Sequence, residues 1–312
     1  MTSTSEPVVW KEKERVDGEI VKCMTVILRT RGCRWDQCYM CGYTKDAYPA
    51  SEEELIQQIN YVFEQLEDEK VLKIFTSGSF FDDAEVPPKV RAYLTERFNQ
   101  VGMRKLIVES RPEYVTEDRL RELEGVNLEV GIGLETANDM IRKLCINKGF
   151  SFDDFKRAAK ILRENGFRVK CYLLLKPPFL SEGEAIEDAI SSVIAAMRYA
   201  DVFSLNLTNV QKGTLVERLW MAKLYRPPWL WSAVEVLRKA KEAGVEIMSD
   251  PVAAGKQRGP HNCGKCDEKV ARAIRDFSLT QDLSLLEGLS CECTEKWEKA
   301  VELEKYSRTP LF

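Results

Sequence analysis

Three cysteines fall within nine residues, in Cys33-Arg34-Trp35-Asp36-Gln37-Cys38-Tyr39-Met40-Cys41, spaced C-x4-C-x2-C. Thiolates are the ligands that iron–sulfur clusters select. A [4Fe–4S] cube has four irons, so three thiolates leave one iron open to a ligand from outside the protein. A three-thiol zinc site or unrelated cysteines are the alternatives. Structural zinc favours four closed ligands, and no fourth cysteine lies close by in the sequence. A second set sits further on. Cys263 and Cys266 form a C-x2-C knuckle beside His261, and Cys291 and Cys293 form a C-x-C pair after 24 intervening residues. Two close thiol pairs suit one tetrahedral ion, with zinc the first choice and a second, fully ligated iron–sulfur cluster the next. His261 could replace one thiol but reads as a bystander. Cys23, Cys145 and Cys171 fall inside predicted strands or a helix and read as buried structural thiols.

Composition narrows what such sites serve. The chain has 312 residues, 44% hydrophobic and 31% charged, as a soluble globular protein does. It is long enough for one large α/β domain plus an appendage. No apolar run reaches membrane-spanning length, and Met1 to Gly18 lacks the apolar core of a signal peptide, so the expected location is cytoplasmic. Ten cysteines in that setting argue for metal or redox use rather than disulfides. The net charge of −4 does not suit a chain that grips nucleic acid unaided, although a local basic patch is compatible with it. His261 is the single histidine. Proton transfer must fall to Glu, Asp, Lys, Tyr or the substrate, or the chemistry is of a radical kind with little need of histidine.

The elements that must position these residues alternate regularly. Residues 1–21 read as an extension without strong periodicity. The apolar run Cys23 to Leu28 reads as a buried strand that leads into the cysteine loop. Ser51 and Glu54 form a capping box, with Leu55, Ile59, Val62, Phe63 and Leu66 at helical spacing behind it. Strands are then predicted at Val71–Phe75, Lys105–Val108, Leu128–Gly133, Val169–Leu175 and Val202–Leu207, with helices between them. Pro87 and Pro88 open one of these helices, and Ser181 with Glu184 caps another. Six strand–helix units imply an α/β fold with a parallel sheet and helices outside, and right-handed crossovers curl it. Residues 22–250 are read as this catalytic body and 251–312 as a cysteine-rich metal-binding extension, with a helix from Glu268 to Phe277 between the thiol pairs. Active sites of parallel barrels lie at the C-terminal strand ends. The polar groups there are therefore candidates: Thr76-Ser77-Gly78-Ser79, Glu109, Glu135 and Lys148.

A strand that ends in a three-cysteine loop resembles the radical S-adenosylmethionine (SAM) enzymes, whose usual spacing is C-x3-C-x2-C, one residue shorter in its first gap. The resemblance implies a partial (β/α)6 barrel. It also implies that SAM chelates the open iron and is cleaved to a 5′-deoxyadenosyl radical. Further implied contacts follow residue by residue. Tyr39, after the second cysteine, lies by the adenine, with Met40 beside it. Thr76, Ser77, Gly78 and Ser79 stand at the turn whose carbonyls take the SAM amino group, and Gly78 permits close approach. Glu109 matches the carboxylate that holds the ribose. Glu135 and Lys148 stand where relatives carry Gln and Arg for the SAM carboxylate, and Lys lacks the bidentate fork of Arg.

Several stretches together narrow the likeness. They are Arg31-Gly32-Cys33 through Tyr43, Phe75 through Asp82, Glu109 through Tyr114, Gly133 through Thr136, Leu173 through Pro178, and Tyr225 through Trp231. Over about residues 22 to 300 the chain resembles the radical SAM subunits of archaeal archaeosine synthases. That family implies a lyase acting on position 15 of tRNA, where a partner enzyme has attached lysine to preQ0. Breakage of the bond from nitrogen to the lysine Cε leaves archaeosine on the base and releases the lysine skeleton as an aldehyde. Implied partners are this tRNA, the lysine-attaching subunit and an electron donor, with no membrane. The acidic balance suggests that tRNA binding is shared with the partner subunit, and Tyr225 through Trp231 is a candidate docking surface or else packs the last barrel helix against the cysteine tail. A radical SAM enzyme of a small metabolite or peptide, and a non-catalytic Fe–S module, are the competing readings.

Overall fold

The computed structural model describes residues 6–312. Eight strands form one sheet in sequence order: β1 Val8–Val16, β2 Glu19–Ile27, β3 Val71–Phe75, β4 Lys105–Glu109, β5 Leu128–Glu135, β6 Arg168–Leu175, β7 Val202–Leu207 and β8 Ile247–Met248. β1 runs antiparallel to β2, while β2, β3, β4 and β5 pair in parallel, as do β7 and β8. Strands β2 to β7 are the six predicted ones, each followed by helix, as the partial (β/α)6 barrel requires. The helices are α1 Glu52–Glu64, α2 Pro88–Val101, α3 Glu117–Arg121, α4 Asp139–Ile141, α5 Phe152–Glu164, α6 Glu182–Ala196, α7 Leu215–Met221, α8 Leu230–Glu242, α9 Asp267–Thr280, α10 Ser284–Glu287 and α11 Thr294–Ser307. Both predicted capping boxes form, Ser51 with Glu54 on α1 and Ser181 with Glu184 on α6, and Pro88 opens α2. No helix among the described residues is long and apolar enough to cross a membrane.

The stretch before residue 22 differs from expectation. Instead of an aperiodic extension, residues 8–16 form β1, turned back onto β2 through Asp17 and Gly18, both at positive φ. Its alternation is masked because the inward positions carry charge. Residues 1–5 of the extension lie outside the described residues.

The chain divides into two compact units: residues 1–36, 43–133 and 153–170 make the first, and 37–42, 134–152 and 171–312 make the second. In the first, strand interiors such as Met24, Val26, Leu72, Ile74, Leu106, Val108 and Val130 are buried, as are Leu55 and Ile59 of α1 and Val90 and Leu94 of α2. The N-terminal strand ends hold a buried ionic layer. Lys105 and Lys170 pair with Glu129 at 2.6 and 2.9 Å, Lys170 lies 3.6 Å from Glu14, and Lys73 pairs with Glu14 and, at 2.9 Å, with Glu12. Strand β1 thus delivers two carboxylates to Lys73, which would otherwise be buried uncompensated, a costly state. In the second unit α6 packs on α8 and α11. Gly183 allows this, because a Cβ there would fall 2.6 Å from the Val301 carbonyl oxygen. Beside it, Lys176 bonds Glu182 at 2.5 Å and faces Glu304 at 3.5 Å, all three buried.

Candidate functional site

Cys33 belongs to the first unit, and Cys38 and Cys41 to the second. All three thiols are half-buried. In the first unit, Cys33 follows Gly32 at φ 84 and lies against the turn after β3. A Cβ at Gly78 would fall 2.6 Å from the Cys33 Cα and 2.9 Å from its nitrogen, so only glycine lets the two backbones meet. Buried Glu85 ties this corner together. It accepts from the Thr30 hydroxyl at 2.6 Å and from the Ser79 N–H at 2.5 Å. Burial pushes its carboxyl pKa up, and the bonds from Thr30 and Ser79 partly offset that. The buried Ser79 hydroxyl accepts from the Arg111 N–H at 3.1 Å, and the Gly78 N–H reaches the Thr76 hydroxyl at 3.2 Å. Ser77 is half-buried in the same turn. Glu109 ends β4, half-buried, and its carbonyl accepts from the Phe80 N–H at 2.8 Å. The four residues between the first two cysteines begin with a braced pair. Arg34 grips buried Asp82 through two bonds of 2.6 Å and stacks on Tyr114, while Arg111 stacks on Trp35.

In the second unit the backbone of Tyr39 is held at both ends. Its N–H donates to the Ile146 carbonyl at 2.9 Å, and its carbonyl accepts from Leu215 and Val216 at 3.0 and 3.3 Å. Ile146 closes a π-helical turn over Arg142–Ile146, an expansion often found at functional sites. Asn147 follows in the left-handed conformation, φ 59, and its side-chain amide donates to the Gln37 carbonyl at 3.0 Å. The Gly42 N–H donates to the Gln211 side chain at 2.5 Å. Met40 packs against buried Val210, Val216 and Tyr225, so its side chain serves the hydrophobic core of this unit. Lys148 and Glu135 come together at 2.6 Å, Glu135 at φ 65 and buried. The two candidate SAM-carboxylate contacts thus form a mutually neutralised pair.

The four later thiols converge within the second unit. All Sγ atoms lie within 4.8 Å of one another, with 3.8 Å from Cys263 to Cys266, 3.7 Å from Cys263 to Cys291 and 3.7 Å from Cys266 to Cys293. An ion with metal–sulfur bonds of about 2.3 Å has tetrahedral edges of about 3.8 Å. The set therefore fits one four-coordinate ion and is too tight to span a multi-iron cluster. Two N–H donors already point at sulfur: Trp231 Nε1 to Cys293 and Asn262 Nδ2 to Cys266, each at 3.3 Å. Such donors stabilise thiolate charge. Asp267 closes the knuckle by accepting from the N–H groups of Asn262 and Gly264 at 2.8 and 2.7 Å. His261 is not among the convergent ligands. Its Nδ1 lies 2.8 Å from the Gly259 carbonyl.

One open alternative closes here and one expectation changes. The stretch from Tyr225 to Trp231 takes the packing reading rather than the docking one. Tyr225, Arg226, Trp229, Leu230 and Trp231 are all buried, packed beneath the thiol site. Cys23 and Cys171 are buried as read, whereas Cys145 is half-buried in the π-helical turn. Sequence reasoning gave no role to Glu85, Asp82, Gln211 or Asn262. Each lies outside any cysteine motif and acts by hydrogen bonding to backbone or to a neighbour, which leaves no periodic trace.

The Radical SAM superfamily model matches residues 27–191. A Methanosarcina acetivorans protein named archaeosine synthase subunit beta is 47% identical, over 99% of this chain and 94% of that one. The protein of the same name from Thermococcus kodakarensis is 44% identical, over 94% and 96%. Among solved structures, a queuine lyase from Clostridium spiroforme bound to SAM and queuine aligns with a TM-score of 0.51 and 22% identity, over 65% of this chain and 81% of that one. The Elp3 protein of Methanocaldococcus infernus aligns at 0.53 with 17% identity, over 73% and 59%. These two bear on the fold alone. With near-full-length identity far above that level to two beta subunits, the chain belongs to the archaeosine synthase subunit beta family, within the radical SAM superfamily.

Proposed function

We propose that this protein is the radical SAM lyase that converts lysine-modified preQ0 at position 15 of tRNA to archaeosine by cleaving the lysine N–Cε bond. The near-full-length identity to two archaeosine synthase beta subunits is the observation that carries this reading. Cys33, Cys38 and Cys41 are the proposed ligands of a [4Fe–4S] cluster with one iron open to SAM. When bound, the pair supplies a hydrogen-abstracting radical, made by one-electron cleavage of SAM with an electron from an outside donor. The residues of the chain position and shield. Gly78, braced through Glu85, keeps the Cys33 backbone close. Ile146, Asn147, Gln211 and the start of α7 hold the Cys38–Cys41 arm. Tyr39, the turn Thr76–Ser79 and Glu109 are the proposed SAM contacts. The Glu135–Lys148 pair is net neutral, so it orients the SAM amino-acid end by hydrogen bonding more than by charge. Residues 22–250 carry the chemistry and 251–312 form the extension, with zinc proposed at Cys263, Cys266, Cys291 and Cys293.

The substrate is proposed to be presented with the lysine-attaching subunit, in the cytoplasm. A net charge of −4 leaves this chain few cations for phosphate neutralisation, and a base inside folded RNA must be exposed before reaction, at a cost of a few kcal/mol or so. The test is an anaerobic reaction of reconstituted protein, SAM and reductant with lysine-modified tRNA. It should consume the lysine adduct and form archaeosine. Full activity on the free lysine–preQ0 conjugate would overturn the claim that RNA is part of the substrate.

A further inference from the structure

The four-thiol site and the Cys38–Cys41 arm belong to one compact unit, and two continuous paths of contact join them. The first runs through buried side chains. Asn262, which donates to Cys266, accepts from the Trp231 N–H at 3.3 Å. Arg226 donates to the carbonyls of His261 and Pro227 at 2.7 and 2.8 Å and stacks on Trp229 at 4.1 Å. The adjacent Tyr225 anchors its hydroxyl on the Lys176 carbonyl at 2.7 Å and packs in the cluster that receives Met40, one of the two residues between Cys38 and Cys41. The second path is polar. Arg258 lies five residues before Cys263, in the loop that leads into the knuckle. Its Nη2 bonds Glu217 at 2.5 Å, its Nε donates to the Val210 carbonyl at 3.1 Å, and its own carbonyl accepts from the Val210 N–H at 2.7 Å. Its guanidinium also stacks on Trp220. Glu217 in turn accepts from the Gly213 N–H at 2.5 Å. The segment so fixed, residues 210–217, is the one that holds Tyr39 through Leu215 and Val216, and Gly42 through Gln211.

We propose that the C-terminal thiol site positions the Cys38–Cys41 arm of the radical-cluster loop, and that Arg258 is the positioning residue that links them. The inference rests on the reading above that the loop holds an iron–sulfur cluster and the four thiols one ion. Its physical basis is mechanical. A closed metal shell fixes the chain from Cys263 to Cys293. Arg258 carries that order to a seven-residue helix whose first N–H groups grip the loop backbone. The arm has no helix or strand of its own, so its ligand geometry is only as well defined as these supports.

The experiment compares four full-length proteins: the parent, Arg258→Ala, Cys291→Ser and the double variant. Each is reconstituted anaerobically, and the rate of iron loss from the loop cluster to a ferrous chelator is followed with and without SAM, beside metal content and the EPR spectrum of the reduced cluster. Arg258 is partly exposed, so its variant should keep one ion at the four thiols and a cooperative melt. Iron loss should rise roughly tenfold in each single variant, within the range by which linking residues modulate coupled sites. The double variant should lose iron no faster than the faster single one, since both changes break the same path. The shift in the EPR spectrum on adding SAM should need more SAM in Arg258→Ala. Should Arg258→Ala or Cys291→Ser not fold, Glu217→Gln and removal of the thiol-site metal by chelation replace them. Iron loss within twofold of the parent in Arg258→Ala, or multiplied effects in the double variant, would overturn the link. So would a parent that carries no metal at the four thiols. A parent that holds no cluster in the loop would instead overturn the functional reading on which the link rests.

Discussion

The two cysteine sets present the same side chain in two different settings. The loop offers three thiols held by backbone contacts: Cys33 by the Gly78 corner in the first unit, and the Cys38–Cys41 arm by the Ile146 and Leu215 bonds in the second. The C-terminal set offers four, all from one unit, at the edge lengths of a single tetrahedron and with N–H donors from Trp231 and Asn262 already on sulfur. One missing ligand leaves a place for a reactant, whereas a full shell leaves none. The loop should therefore govern chemistry with little effect on folding, and the knuckle should govern folding.

The largest effect that separates them is catalytic. A triple Cys33→Ala, Cys38→Ala, Cys41→Ala variant should keep its thermal unfolding profile yet form no 5′-deoxyadenosine above background, read by chromatography of the SAM cleavage products. Turnover by that variant would erase the distinction. At the other set, Cys293→Ser should lower stability by roughly 3 kcal/mol or more, because a closed metal shell contributes directly to folding. Chemical denaturation with metal analysis measures this, and zinc should account for the ion lost.

Gly78→Ala tests the corner between these extremes. The added methyl meets the Cys33 backbone, so cluster content after reconstitution should fall severalfold while far-UV circular dichroism stays unchanged. A milder effect concerns the ionic layer. Burial alone would raise the Glu129 pKa, but Lys170 and Lys105 more than offset it and hold it at about 2, against 4.5 ordinarily. A depressed carboxylate stabilises fully above its unfolded pKa. That contribution is lost as pH falls from 4.5 through about 2. Acid titration of unfolding should show this loss in the parent and not in Glu129→Gln. That variant should itself be about 3–5 kcal/mol less stable at neutral pH, because two buried lysines lose a partner. Smallest is Glu135→Gln, which releases Lys148 from its 2.6 Å ion pair. It should alter KM for SAM by less than about tenfold, the effect of about 1.4 kcal/mol, and leave stability nearly as it was.

Much of this was legible before any coordinates. The capping boxes at Ser51 and Ser181, the strands Val71–Phe75 and Val202–Leu207 and the order of units all appear in the sequence, because local hydrogen bonding and hydrophobic period dictate them. The pairing of Cys263 and Cys266 with Cys291 and Cys293 was also readable, since close thiol pairs with a helix between them can be brought together. What the sequence hid depends on long-range partners. β1 reads as a charged extension because Glu12 and Glu14 face lysines from β3 and β6, which no local window contains. The π-helical turn at Arg142–Ile146 has no hydrophobic signature, yet it aims the Ile146 carbonyl at Tyr39. Tyr225 through Trp231 left two readings open in the sequence, because aromatics and Arg enrich interfaces yet fill space equally well against the cysteine tail, where the structure puts them.

The central claim is that the open ligand position in the loop serves cleavage of a lysine adduct on tRNA. The most direct measurement is mass spectrometry of lysine-modified tRNA after anaerobic incubation with reconstituted protein, SAM and reductant. The account predicts archaeosine at position 15, with loss of the lysine-derived mass and formation of 5′-deoxyadenosine in step. Formation of 5′-deoxyadenosine with the adduct left intact, in a reaction that also contains the lysine-attaching subunit, would contradict it.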